Sequence, residues 1–132
     1  AISQFICDSV NNRDIVLKSE GNQLYSYLYV SDVVNGILWA LTKGLAGNAY
    51  NIADESSDIA LRKLALLIAN QKGNDVVFDL PNEIERRGFS KATKAILDPS
   101  KINELGWRPK YTIDEGIERT IAILDDLFDM HI

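Results

Sequence analysis

An α/β domain is the fold this chain predicts, and three observations carry that prediction. Short runs of β-branched and aromatic residues alternate with longer segments whose apolar residues recur at helical spacing. Cap and turn residues separate the two kinds of segment at nearly every junction. The composition, 132 residues at 46% hydrophobic and 25% charged with no repeat or low-complexity tract, is that of one globular unit. A chain of this length buries roughly two thirds of its unfolded surface, enough for a single core over residues 1–132.

The elements follow in order. Ser3 to Asn11 reads as a helix end, Asp14 to Lys18 (D-I-V-L-K) as a short strand, and Ser19-Glu20-Gly21-Asn22 as a turn. Tyr25 to Val30 alternates with period two and predicts a strand. Ser31 or Asp32 caps a helix running through Leu41 or Lys43, with Val33, Val34, Ile37, Leu38 and Leu41 on one face. Gly44 and Gly47 mark its end, and Ala49 to Ile52 predicts a short buried strand. Ser56, Ser57 and Asp58 offer caps for a helix from Ile59 to Gln71, in which Leu61, Leu64, Ala65, Ile68 and Ala69 follow helical spacing and which Gly73 stops. Val76 to Leu80 is a further strand, closed by Pro81.

The stretch Leu97 to Pro109, L-D-P-S-K-I-N-E-L-G-W-R-P, predicts a short capped helix with a sharp exit. Asp98 accepts the first free helix amides, and Pro99 suits the first helical position. Gly106 supplies the left-handed residue that closes the helix, Trp107 an apolar anchor, and Pro109 a stop. Trp39 is expected to pack as well. The last helix runs from Ile113 to about Leu127, with Thr112 and Glu115 spaced as a capping box.

Several classes of function are excluded or disfavoured by composition. A net charge of −5 argues against a broad nucleic-acid footprint. The apolar run Val33 to Leu41 is interrupted by Asn35 and Gly36 and falls short of a bilayer span, so no membrane helix is expected. The start, A-I-S-Q-F-I-C-D, lacks the features of a secretory signal and reads as a cut edge. Cys7 is the single cysteine, which excludes an intrachain disulfide and fits a reducing, cytoplasmic setting. Its thiol is expected to pack as a small buried hydrophobe.

A search for catalytic constellations finds none. The one histidine, His131, is penultimate, so no Ser/His/Asp or Cys/His arrangement is available without a mobile tail. One Cys and one His give zinc no ligand set, and Asp125, Asp126 and Asp129 read as the charged face of a terminal helix. Gly44-Leu45-Ala46-Gly47 follows a helix instead of opening one, so it is not a phosphate-cradling loop. None of the five tyrosines has a lysine four residues later. Most of the chemistry of any enzyme containing this chain therefore lies outside it.

One segment does point to a ligand. Arg86, Arg87, Lys91 and Lys94 fall within nine residues, R-R-G-F-S-K-A-T-K, which contain no carboxylate and add the hydroxyls of Ser90 and Thr93. Guanidinium, ammonium and hydroxyl groups together donate many hydrogen bonds to a phosphate. In an acidic protein this is the anion-binding segment; the alternative is a solvated loop whose charges offset Glu83 and Glu85.

The series G-N-Q-L-Y-S-Y-L-Y-V-S-D-V-V-N-G-I, A-Y-N-I-A-D, I-A-L-R-K-L-A-L-L-I-A, L-D-P-S-K-I-N-E-L-G-W-R-P and I-D-E-G-I-E-R-T-I resembles, in order and spacing, the C-terminal part of extended short-chain dehydrogenase/reductases. It is most similar to their nucleotide-sugar epimerase/dehydratase branch. The resemblance covers nearly the whole chain and implies a substrate-binding portion, its NAD(P) site, glycine-rich loop and Tyr-x-x-x-Lys pair lying in an N-terminal Rossmann domain absent from this chain. It implies a nucleotide-diphosphate sugar as ligand, the chain's own Rossmann domain as partner, and a C-terminal fragment or domain of a longer protein. In the family the strand around Tyr50-Asn51-Ile52 joins the large parallel sheet; without that sheet, uncovered edges and apolar surface imply self-association, a homo-oligomer.

Carried over by position, the resemblance sets Tyr25 where the family has a phosphate-pairing arginine. A phenol gives one neutral hydrogen bond and a guanidinium a charged bidentate one, a difference of roughly 1 to 2 kcal/mol in a dry site. Lys94, four residues before Asp98, falls at the family's second phosphate contact, with Lys91, Ser90 and Arg87 on the same segment. Tyr27 and Tyr29 read as sheet aromatics. Two classes remain open, the substrate-binding part of an NAD(P)-dependent epimerase or dehydratase and a stand-alone phosphate- or sugar-binding module.

Overall fold

A computed structural model describes residues 1–80 and 93–129, the side chains of residues 128 and 129 excepted. The elements are α1 (Ile2–Val10), β1 (Ile15–Leu17), β2 (Leu24–Ser26), α2 (Val30–Lys43), a 3₁₀ turn (Glu55–Ser57), β3 (Asp58–Ala60), α3 (Leu61–Lys72), β4 (Val76–Phe78), β5 (Lys94–Ala95), α4 (Ser100–Glu104) and α5 (Ile113–Asp129). The α/β class holds. Two small sheets are present among the described residues: β1 and β4 pair in parallel, and a second sheet has the order β3-β2-β5.

The core sits where α1, α3 and α5 meet the inner face of β1. Ile15 and Leu17 point inward while Val16, between them, faces out, as the period of a strand requires. They meet Leu64, Ala65, Ile68 and Ala69 of α3, Phe5 and Val10 of α1, and Ile117 and Ile121 of α5. The helical spacing read along α3 thus marks its buried face, and Gly73, at φ +73°, closes that helix in the left-handed conformation that glycine adopts without strain.

Cys7 departs from expectation. It is exposed, because α1 turns Phe5, Ser9 and Val10 inward and leaves position 7 on the opposite side. Ser9 reaches the Ile68 carbonyl instead, at 3.2 Å.

Three boundaries also differ from the sequence expectation, each for a reason of partnership. The β2 ladder ends at Ser26, because its neighbour β3 is only three residues long and leaves Tyr27 to Val30 nothing to pair with. The segment Asp58–Ala60, expected to open a helix, is instead β3, antiparallel to β2, and the helix starts at Leu61. Asp54, not Ser56 to Asp58, does the local capping, its carboxylate accepting the Ser56 amide at 3.0 Å. Ala49 to Ile52 belongs to no strand of the described residues, and only Tyr50 and Ile52 of the four are even half-buried.

Helix α2 is inverted relative to its pattern. Its apolar stripe is uncovered, with Leu38 55% and Leu41 76% exposed beside exposed Val30, Val34 and Ile37, while its buried residues are Asp32 and Gly36. Gly36 is there for closeness: a Cβ would lie 2.5 Å from Ile52 Cγ2 and 3.3 Å from Trp107 Cε2. Asp32 is no cap, since the N-cap is Tyr29 and carries no side-chain bond. Its carboxylate lies in the first turn and accepts the backbone amides of Lys110 and Tyr111 at 3.0 and 2.9 Å.

The Gly-Trp-Arg-Pro corner keeps its expected stop and anchor around these groups, but Pro99 is the N-cap residue of α4, whose first helical residue is Ser100. Asp98 accepts the Ser100 amide at 2.8 Å, Gly106 has φ +93°, and Trp107 is 1% exposed. The Trp107 indole donates to Asn35 at 3.1 Å, and the Trp39 indole donates to the Leu105 carbonyl at 3.0 Å. Thr112 and Glu115 form the reciprocal box, the Thr112 amide donating to Glu115 at 2.8 Å and the Glu115 amide to Thr112 Oγ1 at 3.3 Å.

These caps make stability acid-sensitive. The Ser100 amide and hydroxyl hold the Asp98 carboxyl below its ordinary value, and the Thr112 amide and hydroxyl, with the Arg119 charge adding, do the same for Glu115. A carboxyl whose folded pKa is depressed stabilises the fold above its unfolded pKa and loses that contribution as pH falls through the folded one. Melting followed by circular dichroism is expected to be flat above pH 5 and to decline from about the ordinary glutamate value of 4.5 downward. A Glu115→Gln chain should show a smaller decline; an identical one would remove the box from the account.

Candidate functional site

The site begins with the three-stranded sheet, in which β2 is central. Leu24, Tyr25 and Ser26 pair antiparallel with Ala60, Ile59 and Asp58, while Leu24 and Tyr25 pair in parallel with Lys94 and Ala95. The structure therefore sets the strand carrying Lys94 directly beside the strand carrying Tyr25, although 68 residues separate them in the sequence, 25 to 94. Alternation along the pleat then divides the two side chains. Lys94 shares a face with Leu24, Ser26 and Asp58; Tyr25 shares the other with Ala95, Ile59 and Tyr27. Lys94 is exposed and Tyr25 half-buried. Arg87, Ser90 and Lys91 lie outside the described residues.

The Tyr25 face is a packed one. The Tyr25 and Tyr27 rings meet edge to face at 6.3 Å between centroids, and Tyr27 and Ile59 pack against the main core. Burial, with Tyr25 adding to it, pushes the Tyr27 phenol up, which keeps it neutral. Tyr29 stacks edge to face on Tyr111 at 5.1 Å, with the Arg119 guanidinium 4.9 Å from the Tyr111 ring centre. Both aromatics are thereby engaged within the fold, in keeping with their expected packing role.

The Lys94 face offers the open, polar surface. Ser26 and Asp58 lie on it, joined by a hydrogen bond of 2.5 Å, and the Leu97 amide donates to the same Ser26 oxygen at 2.9 Å. Sequence reading did not find this pair, because Ser26 and Asp58 are 32 positions apart and meet only through the register of β2 with β3. Asp32 was visible as a helix-start residue, but its amide partners 78 and 79 positions away were not.

The segment Gly44-Leu45-Ala46-Gly47 is no phosphate cradle. A phosphate loop needs free amides at a helix start. Gly44 instead ends α2, its amide donating to Ala40, and the Leu45 amide donates to the Tyr50 hydroxyl at 2.9 Å. No group of three or more His, Cys, Asp or Glu converges as a metal site among the described residues. Nor does any helix among them have the length and apolar character to cross a membrane. Of the terminal acidic cluster, Asp125 pairs with Lys72 at 2.7 Å, and His131 lies outside the described residues.

Comparison with known proteins adds a second line of observation. Residues 1–53 match the family described as the NAD dependent epimerase/dehydratase family. The dTDP-D-glucose 4,6-dehydratase of Mus musculus is 32% identical over 130 residues, covering 91% of this chain and 34% of the relative, and the dTDP-glucose 4,6-dehydratase of Haemophilus influenzae is 30% identical over 129 residues. The chain thus resembles the NAD dependent epimerase/dehydratase family. It spans about a third of the length of the curated relatives it matches.

Solved structures of an epimerase and a dehydratase carry the same fold. The UDP-glucose 4-epimerase of Thermotoga maritima, solved with UDP-glucose, superposes with a TM-score of 0.81 at 25% identity, covering 96% of this chain and 40% of the epimerase. The dTDP-glucose 4,6-dehydratase of Bacillus anthracis, solved with NAD, gives 0.78 at 21% identity and shares the architecture. The chain described here therefore has the α/β arrangement of Rossmann-type extended dehydrogenases, as its motifs implied.

Proposed function

We propose that this chain is the nucleotide-sugar-binding part of an NAD(P)-dependent epimerase or dehydratase, with its cofactor and catalytic groups supplied by sequence outside residues 1–132. The observation that carries the reading is the placement of β5 against β2, which sets Lys94 on an open polar sheet face at the end of the basic segment. The relatives named for dTDP-glucose and UDP-glucose chemistry support the ligand class. Lys94 would take a phosphate oxygen, with Lys91, Ser90 and Arg87 from the same segment. Tyr25, on the other face of β2, would act on the site only by stiffening the strand through its ring contact with Tyr27. The uncovered apolar stripe of α2 is the surface against which the cofactor-binding portion, or in its absence a second copy, would pack.

The test is calorimetric titration of the chain with uridine and thymidine diphosphates. A charged hydrogen bond to phosphate contributes about 1.5 to 3 kcal/mol, so Lys94→Ala is expected to weaken binding roughly tenfold or more. Because the site is exposed, binding should also weaken as salt rises through about 0.15 M, where charges are screened within about 8 Å. Equal affinity in the Lys94→Ala chain would remove that residue from the site.

A further inference from the structure

We propose that Ser26 is a positioning residue for the anion site: its hydroxyl, oriented by Asp58, fixes the strand that carries Lys94. The inference rests on the reading of Lys94 as a phosphate contact.

The hold on that strand is slight. Its ladder with β2 covers two register pairs, Leu24 with Lys94 and Tyr25 with Ala95, and the Leu24 amide donates to the Thr93 carbonyl at 3.0 Å. Beyond Ala95 the chain leaves the ladder, and there the Leu97 amide turns to Ser26 Oγ at 2.9 Å. A strand held at one end by backbone pairing can still swing; a second anchor three residues further on fixes its direction. Lys94 lies in the paired part, three residues before the second anchor, on the same face of the sheet as the Ser26 side chain.

The donor and acceptor count explains why Asp58 belongs to the device. A hydroxyl has one proton and two lone pairs. The Asp58 carboxylate, acceptor only when ionised, takes that proton at 2.5 Å, so the oxygen presents its lone pairs to the Leu97 amide. Ser26 and Asp58 are direct partners in the β2–β3 register, so the orientation is set by backbone geometry. The chain of bonds runs Asp58, Ser26, Leu97 and ties β3 and β2 to the segment that follows β5. Neither aromatic on the other face of β2 contributes to it.

The experiment compares the 132-residue chain with its Ser26→Ala, Ser26→Thr, Asp58→Ala and Ser26→Ala/Asp58→Ala variants, by amide hydrogen exchange at Leu97 and by titration with uridine diphosphate. Ser26→Ala is expected to speed Leu97 exchange tenfold or more and to weaken binding three- to tenfold, with far-ultraviolet circular dichroism unchanged. Ser26→Thr, which keeps the hydroxyl, should restore both, and Asp58→Ala should add nothing once Ser26 is gone. Unchanged Leu97 exchange in Ser26→Ala, or a threonine variant as impaired as the alanine one, overturns the proposal. If the parent chain binds no diphosphate, the ligand reading fails, and the exchange data alone decide whether Ser26 sets the strand.

Discussion

Replacing Trp107 with alanine is expected to lower the folding free energy by about 3 to 5 kcal/mol, the largest effect of any single substitution considered. The side chain is 1% exposed and among the largest that are fully buried. With Ile52 it packs over Gly36 on α2, and its indole N–H has a partner in Asn35 at 3.1 Å. Truncation therefore opens a cavity between α2 and the corner and leaves the Asn35 oxygen without its donor. Thermal melts should show a midpoint lower by roughly 10 to 20 °C for a domain of this size. Trp107→Phe separates the two contributions, since it keeps most of the ring volume and loses only the hydrogen bond, at about 1 kcal/mol. A loss under 1 kcal/mol for the alanine variant would show that the corner is not a packing anchor.

Asp32→Ala is the second large effect, expected at about 2 to 4 kcal/mol. The carboxylate is 4% exposed, and one of its oxygens accepts two backbone amides, those of Lys110 and Tyr111. Removing it leaves two amides without acceptors in a part-buried site, where water replaces a charged partner poorly. The carboxylate joins the first turn of α2 to the chain just after Pro109, so its loss should also loosen the start of α5. Asp32→Asn keeps an oxygen in place and should cost about half as much. Denaturant unfolding of both variants measures the difference, and equal, small losses would mean that the loop holds itself.

Local signals were legible and non-local ones were not. The capping box of α5, the left-handed Gly73 and Gly106 and the buried face of α3 are decided by residues within a few positions of one another, and each is where the sequence indicates. β3 and β5 are decided by pairing with β2 from 36 and 70 positions away, 24 to 60 and 24 to 94, and neither announces itself in composition. The pattern of α2 misleads for a related reason. Periodicity finds an apolar stripe but does not say what it faces, and here the inner side is made of Gly36 and Asp32. At the candidate site, Lys94 stands out by charge alone, whereas its opposition to Tyr25 across the sheet follows only from the register.

The wiring of the central strand also sets an order of events in time. Joining β2 to β3 closes a loop of 36 positions and joining it to β5 closes one of 70, and each doubling of loop length adds about 0.6 kcal/mol of closure entropy. On a chain emerging from the ribosome, β3 is available long before β5, and α2 with its bare apolar stripe is made before either. The nascent protein therefore passes through an interval in which a sticky helix is complete and the Lys94 strand has yet to dock. The sheet around β2 is completed only after that interval, with α4 and α5 still to follow.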